Sequence, residues 1–215
     1  DALPISEQTY ESILAERRAQ AAAIRTALFQ LRDTDGIPFG DALRYAERAS
    51  RATGVRTAFI LAVLKQESDL GKNVGTCNRA GDPESKKWTS IMPGPNDGYR
   101  SYRDDQTVFL RIADDLGLDP DTTPLSCPWG NGWGGAMGPS QFLPTTWQSY
   151  ESRIANAVGV STPNPWDPEH AIMATAIYMK DLGAAAGGYT AERTAALKYY
   201  AGGNWNLPQN AFYGN

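Results

Sequence analysis

The apolar residues of this chain recur with the period of an α-helix in one segment after another, and they alternate convincingly nowhere over a strand's length. From Ser6 to about Leu31, Leu14, Ala21 and Leu28 repeat every seven residues, as do Tyr10, Ile24 and Leu31 with Arg17 interrupting. A turn at Asp33-Thr34-Asp35-Gly36 follows, and the pattern then predicts a helix from near Pro38 that buries Phe39, Leu43, Ala46 and Ala49. A third helix runs from about Val55 to Leu70, with Phe59, Ile60, Val63 and Leu64 apolar and Gly71 placed for a left-handed cap. Further helices are predicted near Asp104 to Leu116, after Pro144 (Trp147, Tyr150, Ile154, Val158), from Asp167-Pro168 (Ile172, Ile177, Leu182) and over about Thr190 to Tyr200. The fold class is therefore mainly α. Its expected division is an N-terminal amphipathic or coiled-coil helix in residues 1–35 and a main domain in 36–215 that carries a long irregular insertion at about 75–132.

At 215 residues the chain is long enough for one good core. No run reaches the roughly 18 apolar residues of a membrane span, so no transmembrane segment is expected. A net charge of −4 without any Lys/Arg cluster argues against nucleic acid as a partner. The N-terminal heptads have two readings: a stalk that meets a coiled-coil partner, or an amphipathic helix lying on the domain. Two cysteines, Cys77 and Cys127, lie in Gly/Pro-rich loop sequence. They form either a disulfide closing the insertion in an oxidising compartment or two unrelated buried thiols.

Chemistry is concentrated at two places. Glu67 falls in the last turn of an apolar helix, where desolvation and the partial negative charge of the helix end both oppose ionisation. A carboxyl so placed is a proton donor near neutral pH, although the residues alone also allow a solvated surface Glu. The second place is Gly134 to Trp147, a glycine-rich loop running into a helix start, in which Gln141 offers a donor and an acceptor suited to hydroxyls or acetamides.

In this order along the chain, Glu67-Ser68 followed by Gly71, then Gly135-Ala136-Met137-Gly138-Pro139-Ser140-Gln141-Phe142-Leu143-Pro144, and then Lys198-Tyr199-Tyr200-Ala201-Gly202-Gly203-Asn204-Trp205 make a set of three blocks. The set resembles the lytic transglycosylases of the lysozyme-like superfamily, especially the membrane-bound murein transglycosylase B type. Tyr200 departs from the pattern, standing where the family usually has Asn. The resemblance implies a lysozyme-like fold and cleavage of the bond between N-acetylmuramic acid and N-acetylglucosamine in peptidoglycan, with a 1,6-anhydro product. It also implies that Glu67 acts first as acid and then as base, in an extracytoplasmic location. By the same resemblance Ser68 would bind the sugar or Glu67, and Gln141 a sugar acetamide or hydroxyl. Met137, Gly138 and Phe142 would shape the cleft, Tyr199 would stand against Glu67 with its hydroxyl orienting the carboxyl, and Tyr200 would join the substrate site.

Two other functions fit the residues. A goose-type lysozyme would hydrolyse the same bond with a second carboxylate, for which Asp69, Asp82, Asp97, Asp104 and Asp105 are candidates. A non-catalytic peptidoglycan-binding module would keep the surface without the chemistry. Trp88, Tyr99, Tyr102, Trp129 and Trp133 in the irregular region are candidates for sugar stacking, whereas Trp147, Trp166 and Trp205 read as core or anchor residues. The single histidine, His170, sits at a helix start and reads as a capping or surface residue. No cluster with metal-ligand spacing is present, and no metal or other cofactor is expected.

Overall fold

The computed structural model describes Ser12 and residues 36–95, 103–130 and 132–214. Apart from Ser12, the expected N-terminal helix and its coiled-coil partner lie outside the described residues. The elements are helices α1 (Phe39–Thr53), α2 (Thr57–Ser68), α3 (Trp88–Ile91), α4 (Asp105–Leu116), α5 (Pro144–Val158), α6 (Pro168–Asp181) and α7 (Tyr189–Ala201), followed by 3-10 turns at Gly202–Asn204 and Pro208–Gly214. Among the described residues there is no strand, only isolated antiparallel bridges.

Local signals set the helix ends. Asp167 opens α6 by accepting from the backbone N–H of Glu169 at 2.9 Å and of His170 at 3.2 Å, with Pro168 in the first position where its missing N–H costs nothing. Asp104 does the same for α4 through Thr107 N–H. Gly54, Gly117 and Gly159 close α1, α4 and α5 in the left-handed region. His170 accepts from Asn164 N–H at 3.0 Å, which gives the histidine a structural role.

Helix α6 is buried nearly all round, from Ala171 through Ile177 and again at Met179. It is the axis on which α1 and α5 pack most extensively. The buried face of α1 is Ala42, Ala46, Ala49 and Thr53, and Phe39 and Leu43 are only half-buried, a correction to the sequence expectation. Small residues face α6 on this side, where they let the two backbones approach, and the bulkier side chains are turned to the rim. Trp147 of α5 is fully buried.

The irregular stretch between α2 and α5 is tied together by few but specific bonds. Cys77 and Cys127 form a disulfide across 50 residues. Cys77 also exchanges both backbone hydrogen bonds with Leu125 at 3.0 Å, and bridges continue from Leu125 to Met137 and from Met137 to Phe142. Gly75 passes so close to Leu125 that a Cβ there would lie 2.1 Å from its carbonyl. Buried Asn78 donates to the carbonyls of Pro120 (2.6 Å) and Thr123 (2.8 Å) and accepts from Trp88 N–H (3.0 Å). In this way the insertion is joined, rung by rung, to the Met137–Phe142 segment.

Candidate active site

Glu67 lies in the last turn of α2, and the chain leaves that helix through three successive left-handed residues, Asp69 (φ 54°), Leu70 (φ 58°) and Gly71 (φ 81°). Only the glycine adopts this conformation freely, and left-handed backbone in a branched, bulky residue costs about 1–3 kcal/mol. The strain is held in place by Ser68, whose Oγ accepts from Gly71 N–H at 2.8 Å, by Asn73 N–H on Ser68 O at 2.9 Å, and by Ile37 N–H on Leu70 O at 2.9 Å. Ser68 is 1% exposed, so its hydroxyl serves the turn and is not presented to a sugar. The left-handed cap predicted at Gly71 thus begins two residues earlier, because the turn closes on the Ser68 side chain.

The Glu67 carboxyl is half-buried, and burial raises its pKa from the ordinary 4.5 to about 6, against a smaller opposing effect of a hydrogen bond. That bond comes from the Tyr213 hydroxyl, which donates to Glu67 Oε1. Tyr213 belongs to the turn Pro208–Gly214, and its ring stacks on Tyr200 with centroids 4.7 Å apart. Burial and the facing carboxylate both push the Tyr213 hydroxyl well above its usual pKa, so it stays a donor.

Tyr199 is near enough for the charge of Glu67 to raise its pKa, after the larger effect of burial. Its hydroxyl, however, donates to Ser140 O at 2.7 Å, so Tyr213 and not Tyr199 orients the acid. Tyr199 instead supports the Gly138–Phe142 turn. Ser140 is buried there, with its Oγ donating to Ala171 O at 2.8 Å and Thr175 Oγ1 at 2.8 Å beside it. Gly138 (φ 60°) admits no side chain, since a Cβ would stand 2.0 Å from Pro165 O. Gln141 is left-handed as well (φ 52°), and its amide closes the turn by donating to Gly138 O at 2.7 Å. Met137 and Phe142 are buried, and the Phe142 ring meets Trp147, Tyr150, Tyr178 and Tyr199 at 5.8–6.4 Å. These residues build the wall of the site from behind.

A wide polar groove of about 600 Å³ is lined by Arg103, Asp104, Thr145, Gln148, Tyr150 and Tyr178. Tyr178 also stacks obliquely on Tyr199 at 5.2 Å, so the groove and the turn share a wall. A smaller, more apolar cleft of about 270 Å³ lies between α2 and α7, with Phe59, Ala62, Gln66, Ala196 and Tyr213 on its walls.

Among the described residues, four of the five candidate second carboxylates have partners of their own. Asp69 pairs with Lys65 and Lys72. Asp82 accepts from Arg79 N–H, Asp104 caps α4, and Asp105 is buried against Thr145 and Arg103. Asp97, Tyr99 and Tyr102 lie outside the described residues. Trp88 packs on Phe109 and donates to Asp121, Trp133 is half-buried, and Trp129 stands 90% exposed. Trp166 donates to Pro124 O and Trp205 lies under Lys198, as anchors. Among the described residues no group of His, Cys, Asp and Glu gathers to hold a metal, and no helix is long and apolar enough to cross a membrane.

Residues 40–207 match the family model of the transglycosylase SLT domain. Among solved structures, the soluble lytic transglycosylase SltB1 of Pseudomonas aeruginosa is 26% identical, with 65% of this chain and 43% of that chain covered and a TM-score of 0.48. The Escherichia coli lytic transglycosylase SLT35 in complex with bulgecin A is 27% identical, with 67% of this chain and 41% of that chain covered and a TM-score of 0.48. The chain thus spans less than half the length of these solved structures. No curated protein matches it significantly.

Proposed function

The chain belongs to the transglycosylase SLT domain family, and from that membership we propose that it is a peptidoglycan lytic transglycosylase with Glu67 as its single catalytic acid and base. The observation that carries this reading is a half-buried Glu67 carboxyl held at a pKa of about 6 while Asp69, Asp82, Asp104 and Asp105 are committed to an ion pair, a turn, a cap and a buried network. An ordinary glycosidase needs two carboxyl groups facing each other across the bond, and a lytic transglycosylase needs one.

In the proposed reaction the protonated Glu67 gives its proton to the glycosidic oxygen as the bond from the muramoyl C1 breaks, releasing the N-acetylglucosamine 4-hydroxyl. The resulting carboxylate then takes the proton of the muramoyl 6-hydroxyl, whose oxygen bonds to C1 and closes the 1,6-anhydro ring. No water is consumed, and Glu67 ends protonated as it began. Tyr213 donates to the carboxyl, the Gly138–Gln141 turn and Met137 shape the cleft, and the groove lined by Tyr150, Tyr178 and Arg103 accommodates the strand beyond the cleaved bond. Peptidoglycan lies outside the cytoplasm, and the Cys77–Cys127 disulfide suits such an oxidising compartment. We assign this activity to the unit from residue 36 onward, with residues 1–35 as an appendage.

Mass spectrometry of the soluble products from purified peptidoglycan tests the proposal. Anhydro-muramoyl ends from the intact chain and none from Glu67→Gln are expected. Reducing ends carrying one added water would make the protein a hydrolase, and wall binding without products would make it a binding module.

A further inference from the structure

The family match ends at residue 207, yet the side chain that touches Glu67 is Tyr213. The turn that carries it, Pro208–Gly214, packs on α7. There Tyr200 offers a ring nearly parallel to that of Tyr213, at 16° and 4.7 Å, while Phe212 meets the same Tyr200 ring edge-on at 5.2 Å. Tyr200 stands where the transglycosylase pattern has Asn, a side chain with no ring on which another could stack. The departure from the motif and the contact to the acid therefore meet at one point in space.

We propose that Tyr213 is the positioning residue for the acid in this chain and that Tyr200 is the platform that holds it, so that the terminal turn completes the site where the motif departs from its family. The proposal rests on reading Glu67 as the catalytic acid. Because the hydroxyl donates to Oε1, the transferable proton is left on Oε2, which fixes the face of the carboxyl that meets the glycosidic oxygen. The ring keeps water from the same carboxyl.

Two side chains act on the Glu67 charge from packed elements, Tyr213 from the terminal turn and Tyr199 from α7, and Tyr200 acts on Tyr213. On α2 itself, Lys65 is paired with Asp69. Burial raises the Glu67 pKa and the Tyr213 hydroxyl lowers it. Two truncations of one residue must then move the titration in opposite directions: Tyr213→Phe upward, by removing the donor, and Tyr213→Ala downward, by admitting water.

The experiment is a 13C NMR titration of the Glu67 carboxyl in the intact chain, Tyr213→Phe, Tyr213→Ala, Tyr200→Phe and Tyr200→Ala, beside the pH profile of wall turnover. The expected result is the opposed pair of shifts, with turnover in Tyr213→Phe reduced about tenfold, the loss typical of one hydrogen bond to an ionisable group. Tyr200→Phe keeps the ring and leaves the titration in place, whereas Tyr200→Ala shifts it in the same direction as Tyr213→Ala. A Glu67 titration unmoved in both Tyr213 variants would overturn the proposal while leaving the transglycosylase reading intact. If instead Glu67→Gln still cleaves, or the intact chain yields no wall product, the functional reading fails and the titration still decides the role of Tyr213.

Discussion

Helices α1, α5, α6 and α7 and the stretch from Gly75 to Gly135 are held together by different means. In the helices the interior is Ala, Ile, Met and the indole of Trp147, in close contact along lengths of 13 to 15 residues. In the insertion Ile91, Met92, Phe109, Ile112 and Leu125 join the same core, and one disulfide, a few backbone rungs and the side chain of Asn78 tie down the irregular backbone between them. Apolar packing spreads its free energy over many weak contacts, while the irregular backbone of the insertion depends in addition on a handful of bonds, each of which a single substitution removes. The helices form the core on which α2 and its acid sit, and the bridges from Leu125 through Met137 to Phe142 tie the insertion to the Gly138–Phe142 turn.

The largest effect is expected where the packed region is opened. Trp147→Ala should destabilise the fold by about 3–5 kcal/mol, the range for emptying a large aromatic site. Chemical denaturation should show it as a lower midpoint with one cooperative transition. A loss below about 1 kcal/mol would mean that neighbours collapse into the space and that the packing contrast is weaker than drawn.

Removing the disulfide by Cys77→Ser with Cys127→Ser should cost about 2–4 kcal/mol for a loop of this length. Hydrogen exchange should locate that loss, with amide protection falling between Gly75 and Gly135 before it falls in α1 and α6. Simultaneous loss in both regions would join them into one cooperative unit. A smaller effect, about 1–3 kcal/mol, is expected from Asn78→Gly, which keeps the left-handed φ of 61° and deletes only the side-chain bonds. Trp88 should then lose order, seen as a change in its fluorescence.

The same contrast governs what could be read from the sequence. Helical periodicity and caps locate every α-helix of more than four residues among the described segments, because those signals are local: Asp167-Pro168 announces α6, and Pro144 announces α5. The apolar pattern places the core of α1 on Phe39, Leu43, Ala46 and Ala49; Ala46 and Ala49 are buried, but tight helix contact selects Ala42 and Thr53 in place of Phe39 and Leu43, a tertiary choice that no periodicity encodes. The glycine block is visible as a ligand-shaping loop, but the resemblance implies a Ser68 that holds the sugar or Glu67, whereas its side chain is buried. Its burial follows from the strained turn after it, which the Glu-Ser pair does not reveal. Tyr213 carried no motif, and it is 146 residues from its partner. The only hint was two aromatic residues, Phe212 and Tyr213, left over after the last predicted helix.

At Glu67 the packed region works against itself. Glu67 titrates at about 6 in the folded protein, against the ordinary 4.5 expected when the chain is unfolded. The native state therefore holds the proton more tightly, and the stability linked to it is complete below pH 4.5 and lost as pH rises through about 6. A shift of this size corresponds to about 2 kcal/mol of penalty on the folded carboxylate. Glu67→Gln removes the charge and keeps an acceptor for the Tyr213 hydroxyl. It should raise the melting temperature at pH 7.5, with the advantage shrinking on acidification and closing near pH 4.5. The variant would then be the more stable protein and the inactive one, the trade expected when a site holds a desolvated acid. A difference independent of pH would mean that water reaches the carboxyl, and that the strained turn after α2 and the Tyr213 ring fail to keep it dry.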